Sequence, residues 1–353
     1  MLSILNFLLT LLILILMLGI IVFIHEFGHF LAAKKQGCYI SEFAIGMGPK
    51  LFSFNRKNDE TLYSVRMLPI GGFNAIQMTE EENKKTKKDR VFENKSFFGK
   101  IFILLNGVFF NLLLAMTLLF INGLLYGSPD TRAIIGRVEE ASPCYEAGLL
   151  SGDVITNING KNVNSWDDAL LILQYGEKKN EYVFTVERST TTAKIVVKPE
   201  LIKNDEGTDT LKFGFTTANV RNKGLVSAVK YSFIGSAKII RSLGTIIANL
   251  FTGHLGLKSL SGPVGIYSVI DTVKQTGLEN IIYLTAYLSL NIGIINLLPV
   301  PVFDGGRVLL VVLEKIKGKK LNPKIEEWLD TIGFVLLLIL MLYVTANDIL
   351  KLF

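Results

Sequence analysis

Residues 1–24, MLSILNFLLTLLILILMLGIIVFI, carry no charge and run without a break into His25-Glu26-Phe27-Gly28-His29. About 20 apolar residues as a helix span a hydrocarbon core of roughly 30 Å, so this stretch predicts a membrane-crossing helix with a polar motif at its end. At 1.5 Å per residue, a helix starting near Leu5 puts His25 about 30 Å along its axis. The motif then sits at or just inside the far edge of the bilayer. Residues four apart share one helical face, so both imidazoles face a single point. The glutamate between them is placed to take a proton from a water polarised by a metal there. The chain has only 3 histidines, so two of them in H-E-x-x-H is a specific signal for zinc. Ionisable groups at membrane depth are costly and as a rule functional. A cleaved signal peptide does not fit, because no basic segment precedes the apolar run and no small-x-small site follows it.

Working outward, three further uncharged runs appear, with bodies at Ile101 to Tyr126, Asn280 to Phe303 and Thr331 to Asn347. Four spans account for a composition of 50% apolar and 19% charged residues, too few charges for a soluble globule, where about 25% is usual. A wholly soluble fold and a disordered chain are excluded. The net charge of +6 belongs to loops rather than to a nucleic-acid surface. Residues 34–100 hold 13 Lys and Arg, and residues 305–330 hold six more. The positive-inside rule makes both cytoplasmic and puts the long segment after the second span outside, with both termini. The run Glu80 to Arg90 reads as a solvated cytoplasmic loop. Cys38 and Cys144 then lie on opposite sides of the bilayer, and no disulfide framework exists.

A catalytic zinc needs three protein ligands and one open position. His254 is one candidate for the third ligand, though it falls on the side away from the motif. Asp304 is the better one. It closes Asn296-Leu297-Leu298-Pro299-Val300-Pro301-Val302-Phe303-Asp304-Gly305-Gly306, where two prolines remove backbone donors and break the helix just before the carboxylate. Non-helical backbone at membrane depth survives only where it is buried in protein or lines a cavity. Its freed backbone groups and the Asn296 amide are available to a substrate strand.

These motifs together resemble the site-2 protease family, in particular the bacterial RseP-type intramembrane zinc proteases, over nearly the whole chain. Gly46-Met47-Gly48-Pro49 and Leu68-Pro69-Ile70-Gly71-Gly72-Phe73 are similar to the family's membrane-reentrant β-hairpin, here about residues 40–78. Ser261-Gly262-Pro263-Val264-Gly265 matches a further family segment. The resemblance implies zinc on His25, His29 and Asp304, with Glu26 activating water and Asn296, Pro299 and Pro301 holding unwound substrate. Phe303 stands where the family has Leu, and Asn106-Gly107-Val108 replaces Ala-Gly-Pro in the second span, with Asn111 kept.

Residues 130–217 change to glycines, charges and short alternating strands. Ser142 to Leu149 and Gly152 to Lys161 resemble a bacterial PDZ domain, which binds a chain terminus or strand by β-augmentation. Residues 218–280 connect it to the core; within them Val226 to Leu250, with Lys230, Lys238 and Arg241, reads as an amphipathic helix on the outer membrane surface.

The expected protein is thus a polytopic α-helical membrane protein with four transmembrane helices. A membrane-reentrant β-hairpin and an inserted extracytoplasmic α+β PDZ-like domain complete it. Residues 1–129 and 281–353 form the two halves of the core. The expected function is zinc-dependent endoproteolysis of single-pass membrane proteins within the bilayer of a bacterial cell, near its cytoplasmic side. By resemblance the substrates are anti-sigma factors or remnant signal peptides, first trimmed outside and admitted by size. The alternative is a membrane scaffold whose PDZ-like domain recruits partners around a structural metal, but such a site needs four protein ligands. A transporter would need inverted repeats of its spans, and none is visible.

Overall fold

A computed structural model describes residues 2–76, 86–174, 179–203, 209–253, 255–256 and 259–351. The Lys84-Lys85 pair, the last residues of the expected hairpin and His254 fall outside them. The chain forms two compact units: Met1–Tyr126 with Ala228–Phe353, and Gly127–Ser227 inserted between.

Helix α1 (Leu2–Lys35) covers the whole opening run. Its last turn carries Lys34 and Lys35, which suit the negative end of the helix dipole. Gly37, at φ +66°, ends it by sending its N–H to the Lys34 carbonyl while Cys38 N–H bonds the Ala33 carbonyl. This is the paired terminus that needs a left-handed residue.

Strands β1 (Glu42–Asn55) and β2 (Leu62–Asn74) follow. Each is folded back on itself, so the expected hairpin is a more compact object. Residues 43–45 of β1 pair with 72–74 of β2 on one side and with 63–65 on the other, while 52–55 pair with 62–65. The folds occur where Gly46 (φ +85°), Gly48 (φ +83°) and Gly71 (φ +79°) accept backbone that other residues avoid. Among the described residues, segment 72–74 pairs only on the 43–45 side. Glu42 ties the segments together, accepting from Ser64 Oγ and, at 2.8 Å, from Arg66.

Helix α2 (Phe97–Tyr126) begins where Ser96 Oγ accepts the Gly99 N–H. Its buried stripe, Ile103, Leu104, Gly107, Asn111, Ala115, Leu119 and Asn122, repeats every three to four residues and is rich in small side chains. Such a stripe lets helices approach closely in lipid.

The inserted unit contains β3 (Ser128–Pro129), β4 (Ala133–Val138), α3 (Pro143–Glu146), β5 (Val154–Ile158), β6 (Lys161–Asn162), α4 (Trp166–Gln174), β7 (Tyr182–Arg188), β8 (Thr191–Val197), β9 (Glu200–Lys203), β10 (Asp209–Lys212), β11 (Phe215–Thr217) and β12 (Arg221–Asn222). Its main sheet runs β11-β4-β5-β7-β8, with β6 beside β5. Tyr182, Phe184 and Val186 alternate inward along β7 and meet Ile135, Leu149, Ile155 and Ile158 in one core. Full burial of a side chain like Phe184 contributes about 2–3 kcal/mol. Asp153, buried, accepts from both Arg188 Nε and Nη2 at 2.7 Å.

Returning to the first unit, α5 (Leu225–Phe251) packs Ile239 and Leu243 against Ala115 and Leu119 of α2 and against Ala286 and Leu290. Helix α6 (Pro263–Val273) begins at the Ser261-Gly262-Pro263-Val264-Gly265 motif. Asp348 Oδ2 accepts the N–H of both Gly262 and Gly265 at 2.8 Å. The motif is thus a helix cap filled by a distant carboxylate. A Cβ on either glycine would come within 3.0 Å of it.

Helix α7 (Leu278–Asn296) stops well short of the end of its uncharged run. A loop over 297–303 precedes α8 (Asp304–Lys317), and α9 (Pro323–Leu350) completes the chain. Met17 and Ile21 of α1 pack with Ile270 of α6 and Leu288 of α7. Four helical stretches, Ile4–Lys35, Phe97–Tyr126, Leu278–Asn296 and Lys324–Leu350, are long and apolar enough to cross a bilayer.

Candidate metal centre and substrate cavity

His25 and His29 lie one turn apart on α1, both buried, with ring centroids 4.8 Å apart and planes at 84°. Their Nε2 atoms are 3.1 Å apart. Asp304 Oδ2, from the first residue of α8, lies 3.0 Å from one and 3.2 Å from the other. Ligand atoms around a tetrahedral zinc are separated by roughly 3.3 Å, given bonds near 2.0 Å. The triangle therefore fits one such ion. Its chemistry agrees: two nitrogen lone pairs and a carboxylate oxygen face each other in a buried place, an arrangement that a cation relieves.

The ring orientations are fixed from behind. His29 Nδ1–H donates to the Ile103 carbonyl at 2.8 Å, which leaves Nε2 unprotonated and free to ligate. Asn111 on α2 sits 3.3 Å from His25 Nδ1, and its Oδ1 is buried with no partner. Turning this amide over makes Oδ1 the acceptor for the His25 Nδ1–H, which gives that oxygen a partner and leaves His25 Nε2 unprotonated and free to ligate. Ser289 Oγ donates to the Asn111 carbonyl at 2.9 Å and joins α7 to this network.

Two glycines bring the helices this close. A Cβ on Gly28 would fall 2.4 Å from the Asn106 carbonyl oxygen, and one on Gly107 would fall 2.4 Å from His29 Nε2. Gly107, inside the divergent Asn106-Gly107-Val108, is thus the residue the rings rest upon.

The carboxylate is delivered differently. After Asn296 the chain leaves the helix, and Val302 sits at φ +85°, a conformation strained for a β-branched residue. A Cβ on Gly305 would lie 2.2 Å from the Leu297 carbonyl oxygen, and one on Gly306 the same distance from that of Val300. From α9, Gly333 presses the loop, its Cβ position 2.8 Å from the Pro301 carbonyl oxygen.

A cavity of about 540 Å³ opens on the triangle, lined among others by Glu26, Phe73, Asn74, Ile76, Asn296 and Arg307. Asn296 Nδ2 is 3.4 Å from His25 Nε2. Glu26 faces the folded strands, with its Cγ 3.8 Å from the Cβ position of Gly72. Pro299 and Pro301 do not line the cavity among the described residues; Val302 does, and the prolines shape the loop behind it. Sequence reasoning missed Gly28, Asn74 and Arg307. For Arg307 a signal existed, since it follows Asp304 by three residues and shares its helical face. Among the described residues, His25, His29 and Asp304 are the one set of three metal-binding side chains brought together, with no fourth for a closed structural site.

Residues 13–340 match peptidase family M50. The chain is 32% identical to the regulator of sigma-W protease RasP of Bacillus subtilis, covering 96% of this chain and 98% of that one. It is likewise 32% identical to the zinc metalloprotease RasP of Bacillus licheniformis over the same shares, and 31% identical to that of Oceanobacillus iheyensis, covering 96% and 98%. The chain belongs to peptidase family M50.

Proposed function

We propose that this M50 zinc metalloprotease cleaves peptide bonds inside the membrane-spanning segments of single-pass proteins of a bacterial cell membrane. His25, His29 and Asp304 would hold the zinc, which would supply Lewis-acid polarisation of the scissile carbonyl and of a water. Glu26 takes a proton from the attacking water as its oxygen bonds the carbonyl carbon. It then returns the proton to the amide nitrogen as the C–N bond breaks, leaving a carboxylic acid and an amine, which exchange a proton to become carboxylate and ammonium. Asn296 and the loop 297–303 border the substrate beside the metal.

A helical substrate hides its peptide carbonyls, so it must be extended before attack. The outer edge of segment 72–74, beside Glu26 and unpaired among the described residues, supports pairing with an extended strand in the manner of β-augmentation, and the folded strands β1 and β2 then act as a membrane-reentrant element. The inserted unit, with its own core, acts as an extracytoplasmic PDZ-like filter that admits segments already trimmed outside. RasP of Bacillus subtilis is named as a regulator of sigma-W, which favours anti-sigma factors among the substrates; remnant signal peptides have the same single-pass form. The active site faces the cytoplasmic side.

One observation carries the reading: three ligand atoms converge at the end of an uncharged span, in the cavity that Glu26 and the strand residues Phe73 and Asn74 also line. Glu26→Gln keeps the ligands and removes the base. It should lower cleavage of a membrane-embedded reporter at least about a thousandfold with zinc and membrane insertion retained. Cleavage at the normal rate would refute the assignment.

A further inference from the structure

Asn74 lines the catalytic cavity, yet both Nδ2 and Oδ1 of its side chain are buried without a partner in the protein. A buried amide left unsatisfied on both atoms is costly, and native sites that tolerate it tend to use it. Its place along the strand says for what. Asn74 follows Gly72 by two residues, so both project to the same face. The Cβ position of Gly72 is 3.8 Å from Glu26 Cγ. Asn74 thus lies about 7 Å farther along the strand, two residues at roughly 3.3 Å each, on the face that carries the catalytic base. Among the described residues, 72–74 pair with 43–45 on one side and with no strand on the other.

We propose that Asn74 is a specificity residue, pairing with an Asn or Gln side chain that the substrate carries two residues from the scissile bond. The proposal rests on the proteolytic reading above. A strand added to the edge sets its side chain beside Asn74 on the same face, with Cβ atoms about 5 Å apart. An amide both donates and accepts and so satisfies both orphaned atoms. A carboxylate meets only the donor and stands among Glu26 and Asp304. A lysine meets only the acceptor. Spanning segments are mostly apolar, so one amide at the right depth is a discriminating mark, and asparagine also weakens the helix that must open.

The test is a set of single-pass reporters in which Gln replaces Leu at each position around the cut. In the wild type one position should raise kcat/KM by about tenfold or more over the apolar parent, the scale set by leaving a buried hydrogen-bonding group unmet. In Asn74→Leu, and in the smaller Asn74→Ala, the ratio of Gln to Leu reporter should fall below about twofold. The ratio is taken within each variant, so a general loss of rate does not enter it. Capture of the same reporters by Glu26→Gln protein reads the preference without turnover, and the double variant with Asn74→Leu should lose it. A wild type indifferent to Gln at every position, or a preference that survives in both Asn74 variants, overturns the proposal. Selective capture without any cleavage by the wild type would instead sink the proteolytic reading and leave the pairing standing.

Discussion

The two halves of the proposed metal site are built by opposite means. His25 and His29 ride on an unbroken helix, where regular geometry alone puts them on one face. Asp304 opens α8 directly after an irregular loop, positioned by a strained Val302 and by Gly305 and Gly306, whose Cβ positions would strike carbonyl oxygens. The difference teaches where precision comes from in a membrane interior. A helix supplies it through its repeat, and irregular backbone needs neighbours on every side to supply it. The helical half should therefore yield when its neighbours are enlarged, and the loop half should fail outright.

Gly306→Ala puts its Cβ against backbone at 2.2 Å, which cannot move without displacing Asp304. Zinc content of the purified protein should fall to near zero, with cleavage lost with it. Gly107→Ala meets a ring atom at 2.4 Å, and a ring can tilt. Zinc should bind more weakly by about a hundredfold, and recover in excess metal. Equal losses in the two variants would erase the distinction between the halves. A smaller effect is expected at Asn111→Leu, where the support behind His25 is removed: zinc affinity falls about 10–100-fold, measured by competition with a chelator. The smallest is Val302→Gly. Relief of its φ of +85° should stabilise the protein by about 1 kcal/mol in denaturant titration with zinc retained; destabilisation would show that the loop stores no strain there.

The same contrast explains what could be read from the sequence. The spans, the H-E-x-x-H face and the helix break before Asp304 follow from charge, spacing and proline, all local rules. The folding of β1 and β2 into four short paired segments does not, because it depends on which segments meet across Gly46, Gly48 and Gly71. The Ser261-Gly262-Pro263-Val264-Gly265 motif has its reason in Asp348, far along the chain, whose carboxylate caps it. The roles of Gly107 and Asn74 have no local signal for the same reason: a glycine's value lies in what its absent Cβ would strike, and an amide's in the partner it lacks. The insert's α+β character was legible from its alternation, and its six-stranded order was not, since strand order is a matter of long-range pairing.

The most direct test of the account is X-ray absorption at the zinc edge of the purified protein. One zinc per chain is expected, with two imidazoles and a carboxylate oxygen near 2.0–2.1 Å, and a changed set of ligand distances in Asp304→Ala. A zinc-free protein, a sulfur ligand, or an unchanged shell in Asp304→Ala would contradict it.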